Sequence, residues 1–174
     1  MKPHRILIIK LSAIGDIVHC LPAVTQLRNT FKEAQIDWLI EEKNATLLEM
    51  SRLNVGIIPI DTKQWRKNLG WHTVKEISAS IKRVRAAQYD CAIDFQGLIK
   101  SGILTCLSGA SRRIGFACAA LKEPLASIFY TERITPHRIH IIDQLQELLS
   151  PLGVPAPTRP CPLFASEEAC QAGH

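Results

Sequence analysis

No stretch of the chain approaches the roughly 18 uncharged apolar residues that a membrane-spanning helix requires. The apolar runs near the start, Ile6–Ile9 and Ile17–Val18, are interrupted by Lys10 and Asp16, so no segment is expected to cross a bilayer. Lys2 and Arg5 precede the first run in the manner of a secretory leader, but that run is four residues long and no small-residue cleavage site follows. It reads as a strand, and the chain is expected in the cytoplasm. There is no C-x-x-C pair, and the cysteines at 20, 91, 106, 118, 161 and 170 lack the Cys/His clustering that zinc requires, so no metal is expected. Four of them sit in apolar runs such as Tyr89–Ile93 and Ile103–Leu107, where a reduced thiol packs as a small hydrophobe and no disulfide framework is needed. Neither G-x-G-x-x-G nor G-x-x-x-x-G-K-[ST] occurs, which disfavours a dinucleotide-binding oxidoreductase and excludes a P-loop. No internal repeat is visible.

The composition, 47% apolar and 21% charged over 174 residues, is that of one ordinary globular domain. Its net charge of +5 is unevenly spread. Residues 62–86 carry a local +6 and residues 111–140 a local +3, leaving the remainder at −4. Two basic segments on a neutral-to-acidic body point to an anionic partner, whether phosphates, sugar acids, a membrane face or nucleic acid. For Lys75–Arg85 alone, a solvated helix face explains the charges equally well.

Short apolar runs alternate with amphipathic ones. Arg5–Lys10 is a β-branched strand that leads through Leu11–Gly15 into a helical pattern with Ile17, Leu21, Val24 and Leu27 on one face. Further strands are predicted at Ile36–Ile40, Val55–Ile60, Tyr89–Phe95 and Arg113–Phe116. Helices are predicted at Ala45–Leu53, Trp71–Gln88, Leu98–Leu107, Leu121–Phe129 and His140–Leu149. Strands separated by helices need crossover connections, which implies an α/β, Rossmann-like, mainly parallel sheet with helices on both faces. Five prolines between Pro151 and Pro162 then break any regular element, so residues 1–150 are expected to form the domain and 151–174 a linker or domain exit.

In such sheets ligands bind beyond the carboxyl ends of the strands, which directs attention to Leu11–Asp16 after the first strand and to Asp94–Ser101 after the fourth. Gly15 lets a backbone approach or turn sharply, and Asp16 stands where a helix begins. Its carboxylate is either a helix cap or a general base, two roles that compete for the same lone pairs. His19, three residues on, is either a partner on that helical turn or structural. Past the third strand, Lys63, Arg66 and Lys67 around Trp65 form either an anion clamp or a plain surface.

At this point the motifs resemble a known family. Ile6–Lys10 with Ser12–His19 and Leu21-Pro22-Ala23 is similar to the amino terminus of bacterial heptosyltransferases, glycosyltransferase family 9. Asp37-Trp38, Glu41-Glu42, Trp65-Arg66-Lys67, Tyr89-Asp90, Asp94, Gln96-Gly97-Leu98, Lys100-Ser101 and Glu123–Ser127 with Phe129-Tyr130 resemble its heptosyltransferase I branch, over about residues 5–150. The resemblance implies the N-terminal, acceptor-binding half of a GT-B glycosyltransferase. Such an enzyme moves L-glycero-D-manno-heptose from ADP-heptose to Kdo2-lipid A by inversion, without a required metal or cofactor, at the inner face of the inner membrane and with no role for nucleic acid. It places the catalytic aspartate at Asp16 and acceptor contacts at Ser12, Gly15, Lys63, Arg66, Lys67, Gln96, Gly97 and Lys122. It also implies that the domain gripping ADP-heptose follows the prolines, so that 1–174 is expected to be a truncated half, inactive or nearly so alone. The alternative is a non-catalytic basic module that binds an anionic membrane or lipid surface with steep salt dependence.

Overall fold

A computed structural model describes residues 2–51, 53–62, 64 and 71–155, with the side chains of 71–74 left aside. Six strands, β1 (Arg5–Ile9), β2 (Gln35–Glu41), β3 (Gly56–Ile60), β4 (Cys91–Asp94), β5 (Arg112–Phe116) and β6 (Glu132–Ile134), form one sheet in the order β3-β2-β1-β4-β5-β6. Every pairing is parallel. The helices α1 (Ile14–Thr30), α2 (Ala45–Met50), α3 (Trp71–Ala86) and α4 (Ile99–Leu107) lie in the crossovers from β1 to β5, and α5 (Ile141–Glu147) follows β6.

Alternation along β1 divides the core. Ile6 and Ile8 face one side, where Ile17, Leu21, Val24 and Leu27 of α1, Leu48 of α2 and Leu145 of α5 cover them. Leu7 and Ile9 face the other, against Val84 of α3 and Leu104 of α4. Burial on both faces is what a parallel sheet demands, and the continuous apolar run of β1 is its sequence trace. The Rossmann-like expectation with helices on both faces therefore holds, and Lys75, Lys82, Arg83 and Arg85 occupy the solvent face of α3.

Four expectations need correction. The segment predicted as a helix over Leu121–Phe129 is not α-helical: it holds a 3₁₀ turn at Pro124–Phe129, preceded by another at Cys118–Ala120, because Pro124 can only begin a helical turn and lacks the N–H to continue one. Strand β6 has no apolar alternation and was not expected; it is held at the sheet edge by pairing of Ile114–Phe116 with Glu132–Ile134. The packed body also runs past residue 150. Val154 lies in the α1-side core, Pro151 O accepts from Arg112 Nη2 at 2.9 Å, and Pro155 O accepts from Gln26. Finally, Cys20 and Cys91 are buried, which pushes each thiol up to about 12, whereas Cys106 and Cys118 are exposed. Cys161 and Cys170 lie outside the described residues.

Candidate functional site

The strand order reverses direction between β1 and β4, so the chain leaves these two neighbours toward opposite faces and opens a crevice at their carboxyl ends. Strand β2, the turn after it and the loop after β4 hold the loop after β1. Lys10 N–H donates to Leu39 O at 3.3 Å, and Lys10 O accepts from Trp38 Nε1 at 3.0 Å. Leu11 O accepts from Glu41 N and Asn44 Nδ2, while the N–H groups of Leu11 and Ser12 both donate to Gln96 Oε1, at 3.1 and 3.2 Å. Gln96 therefore joins the loop after β4 to the loop after β1.

Helix α1 starts from this fixed loop. Its N-cap is Ala13, which has no side-chain acceptor, and Asp16 stands three residues further on. Asp16 Oδ2 accepts one long hydrogen bond from Ala13 N–H, 3.4 Å. The helix-cap interpretation thus survives only as this single contact. The Asp16 side chain is 54% exposed and projects beside the ammonium of Lys10, whose Nζ lies 3.4 Å from the same Oδ2. Lys10 itself is buried and also donates to Phe95 O at 3.3 Å. An exposed carboxylate aimed by a buried cation keeps an oxygen free for an incoming proton, which a carboxylate saturated by main-chain amides does not. Gly15 sits under open space and needs no positive φ, so it makes no sharp turn; it leaves room for an approaching ligand.

The opposite wall is built around Asp94, which is fully buried. Its Oδ1 accepts from the N–H groups of Gln96 (2.8 Å) and Gly97 (3.1 Å), and its Oδ2 from the Tyr130 hydroxyl (2.7 Å). Burial raises this carboxyl above the usual carboxylate range, while the donors pull it down. Gly97 adopts a left-handed φ of 69°, and a side chain there would overlap Leu121. Glu123 Oε2 accepts from Ile99 N–H at 2.6 Å, capping α4 and fixing the segment that carries Lys122.

Between these walls lies a cleft of about 240 Å³, lined by Lys10, Asp16, His19, Gln96, Gly97 and Lys122 among others. The structure thus brings Asp16, Gln96, Gly97 and Lys122 together, with Ser12 on the loop and Gly15 in the first turn of α1 beside them. Lys63, Arg66 and Lys67 lie outside the described residues. Lys10 was not singled out from the sequence, although a lysine ending a buried β-branched strand at the ligand edge is the signal that could have found it. Gln144 and Ile141 of α5, which also line the cleft, carry no such signal. No group of three or more His, Cys, Asp or Glu among the described residues could hold a metal ion.

The family model described as glycosyltransferase family 9 (heptosyltransferase) matches residues 77–172, more than half of the chain. The chain belongs to glycosyltransferase family 9. Its family 9 relatives include lipopolysaccharide heptosyltransferase 1 of Pseudomonas aeruginosa, 38% identical over 128 residues, a match that covers 72% of this chain and 36% of that protein. The Escherichia coli K12 protein of the same name is 33% identical, covering 84% of this chain and 46% of its own length. Among solved structures, Escherichia coli heptosyltransferase WaaC with ADP-2-deoxy-2-fluoro heptose superposes with a TM-score of 0.82 at 32% identity, over 90% of this chain and 50% of that one. The chain spans about half the length or less of the relatives it matches.

Proposed function

We propose that this family 9 chain presents the acceptor and the proton-accepting group in ADP-heptose:lipopolysaccharide heptosyl transfer, as the N-terminal domain of a GT-B enzyme. The observation that carries this reading is the Asp16 carboxylate, exposed at the cleft and aimed by buried Lys10. Asp16 removes the proton from the attacking Kdo hydroxyl of Kdo2-lipid A. As the hydroxyl oxygen bonds to the anomeric carbon of the heptose, ADP departs from the opposite face and the configuration inverts. A positioned base of this kind contributes roughly 10²–10⁴-fold. Gln96 acts by holding the loop that leads into α1 and so to Asp16, since its Oε1 is engaged by Leu11 and Ser12.

Lys122, exposed at the rim, supplies a cation for lipid A phosphate or Kdo carboxylate, with Lys63, Arg66 and Lys67 in the same role. The acceptor is a membrane lipid, so the chain works at the inner face of the inner membrane. No helix among the described residues is long and apolar enough to cross a membrane, so contact with the bilayer would be peripheral. The test is a transfer assay with ADP-heptose and Kdo2-lipid A, run on these residues set in a polypeptide of the relatives' length. Asp16→Asn should lower transfer at least ~100-fold and retain acceptor binding. Transfer by the variant at the unsubstituted rate would overturn the proposal.

A further inference from the structure

Beside the cleft, the 3₁₀ segment Pro124–Phe129 packs on α4 through Gly102, where any side chain would overlap Phe129. On α4, Ile99 and Ile103 flank Gly102 one helical turn apart, and both are exposed. The outer side of the 3₁₀ segment carries Leu125, 64% exposed, and Ile128, 62% exposed. Four large exposed apolar side chains thus lie on two elements that pack together. Scattered exposed apolar residues need no explanation, but a contiguous group rimmed by charge marks an interaction surface.

The rim is basic. Lys100, next to Ile99 in α4, and Lys122, two residues before Pro124, are both exposed. Arg113 Nε donates to Phe129 O at 2.8 Å and Arg133 Nε to Ser127 O at 2.9 Å, which places two guanidinium groups along the segment's base. None of these four cations forms a carboxylate ion pair among the described residues. The adjoining acid, Glu123, is turned to the Ile99 N–H. Exposed apolar side chains fringed by cations match an anionic bilayer, where the apolar groups enter the acyl boundary and the cations remain at the headgroups.

We infer that the Ile99, Ile103, Leu125 and Ile128 surface docks this domain on an anionic membrane, with Lys100 and Arg133 at headgroup level and the cleft mouth at Lys122 turned to lipid in that bilayer. This rests on the reading above that the acceptor is presented in a membrane.

The experiment is co-sedimentation of the chain with vesicles of phosphatidylglycerol and phosphatidylcholine, or of phosphatidylcholine alone, free of Kdo. The chain should bind the anionic vesicles, and added salt should weaken the binding. Leu125→Ser with Ile128→Ser should lower partitioning at least ~tenfold with an unchanged thermal transition, since both side chains are exposed in the free protein. Lys100→Gln should lower it ~fivefold on anionic vesicles only. Failure of the chain to bind anionic vesicles, or wild-type binding by the double serine variant, overturns the docking surface. So does a concentration-dependent dimer that the double variant abolishes, because a second copy would then cover the surface. These vesicles contain no acceptor, so such a failure leaves the transfer reading standing, and loss of the Asp16 effect would leave this surface standing.

Discussion

The Tyr130 hydroxyl donates at 2.7 Å to Oδ2 of Asp94, a carboxyl with no solvent exposure at the end of the central strand β4. The same device recurs across the sheet, where the Tyr89 hydroxyl donates at 2.7 Å to Oδ2 of buried Asp37. A glycine makes room in each case: a side chain at Gly115 would overlap the Tyr130 ring, and one at Gly56 the Asp37 carboxylate. Asp94 spends its other oxygen on the Gln96 and Gly97 amides, so the tyrosine indirectly sets the loop that anchors the segment bearing Asp16.

The Asp94–Tyr130 pair should leave a signature in pH dependence. Burial raises Asp94, and a raised carboxyl contributes stability that is fully present below the ordinary carboxylate value and lost as pH rises through its folded-state value. Asp94→Asn removes that loss. Relative to wild type, the asparagine variant should therefore gain stability steadily as pH rises from about 3.8. Tyr130→Phe should act oppositely, costing ~1–3 kcal/mol where Asp94 is charged and less in acid, because a buried ion then lacks a donor. Urea melts at several pH values measure both differences; a constant offset for either variant would contradict the assignment.

Gln96→Ala should loosen the loop after β1. The Leu11 and Ser12 amides would lose their acceptor, so their hydrogen exchange should accelerate and the domain should lose ~1–2 kcal/mol. Gln96→Glu keeps an acceptor oxygen and should restore most of the amide protection. Fast exchange in both variants would show that the two loops are held together by something other than this side chain.

The parts of this design that were legible in the sequence are those that repeat. Ile6–Ile9 and the Ile17, Leu21, Val24, Leu27 spacing disclosed β1, α1 and hence the crevice at their junction, because burial forces a period on the side chains. What did not repeat was hidden. Glu132-Arg133-Ile134 becomes a strand only by pairing with β5, and Leu121–Phe129 has helical apolar spacing that Pro124 and tertiary packing override. Asp16 was visible as a carboxylate at a helix start, but the sequence did not show that Ala13 is the N-cap or that Lys10 lies 3.4 Å from Asp16, the two observations that support the proposed base role. Gln96 was legible as a candidate acceptor contact, but sequence cannot show that its Oε1 also holds the Leu11 and Ser12 amides.

Asp90 ties the start of the sheet together, accepting from the N–H groups of His4 at 2.7 Å and Arg5 at 2.9 Å. These bonds hold its carboxyl below the ordinary range. A lowered carboxyl stabilises above its unfolded value and loses that contribution as pH falls through the folded one. Asp90→Ala should cost about 0.5–1.5 kcal/mol at neutral pH, a modest figure because the group is solvent-screened. The gap to wild type should close in acid below about 3.8. A gap that stayed open in strong acid would mean the loss came from packing.

Asp16→Asn separates chemistry from folding. The side chain is 54% exposed and its main-chain bond is 3.4 Å long, so the cost of replacing it is mainly the lost counter-charge of buried Lys10, ~1 kcal/mol. Asparagine is nearly isosteric and keeps an oxygen toward Ala13, but it cannot take up a proton. In a polypeptide of the relatives' length, heptosyl transfer should then fall at least ~100-fold in kcat while acceptor affinity changes little. Lys10→Met should redirect the carboxylate and lower kcat as well, whereas Lys10→Arg, which keeps a cation near Phe95 O, should recover part of it. Equal activity of wild type and Asp16→Asn would return Asp16 to a purely structural place at the start of α1. A parallel fall in acceptor affinity and kcat would make it a binding group and not a base.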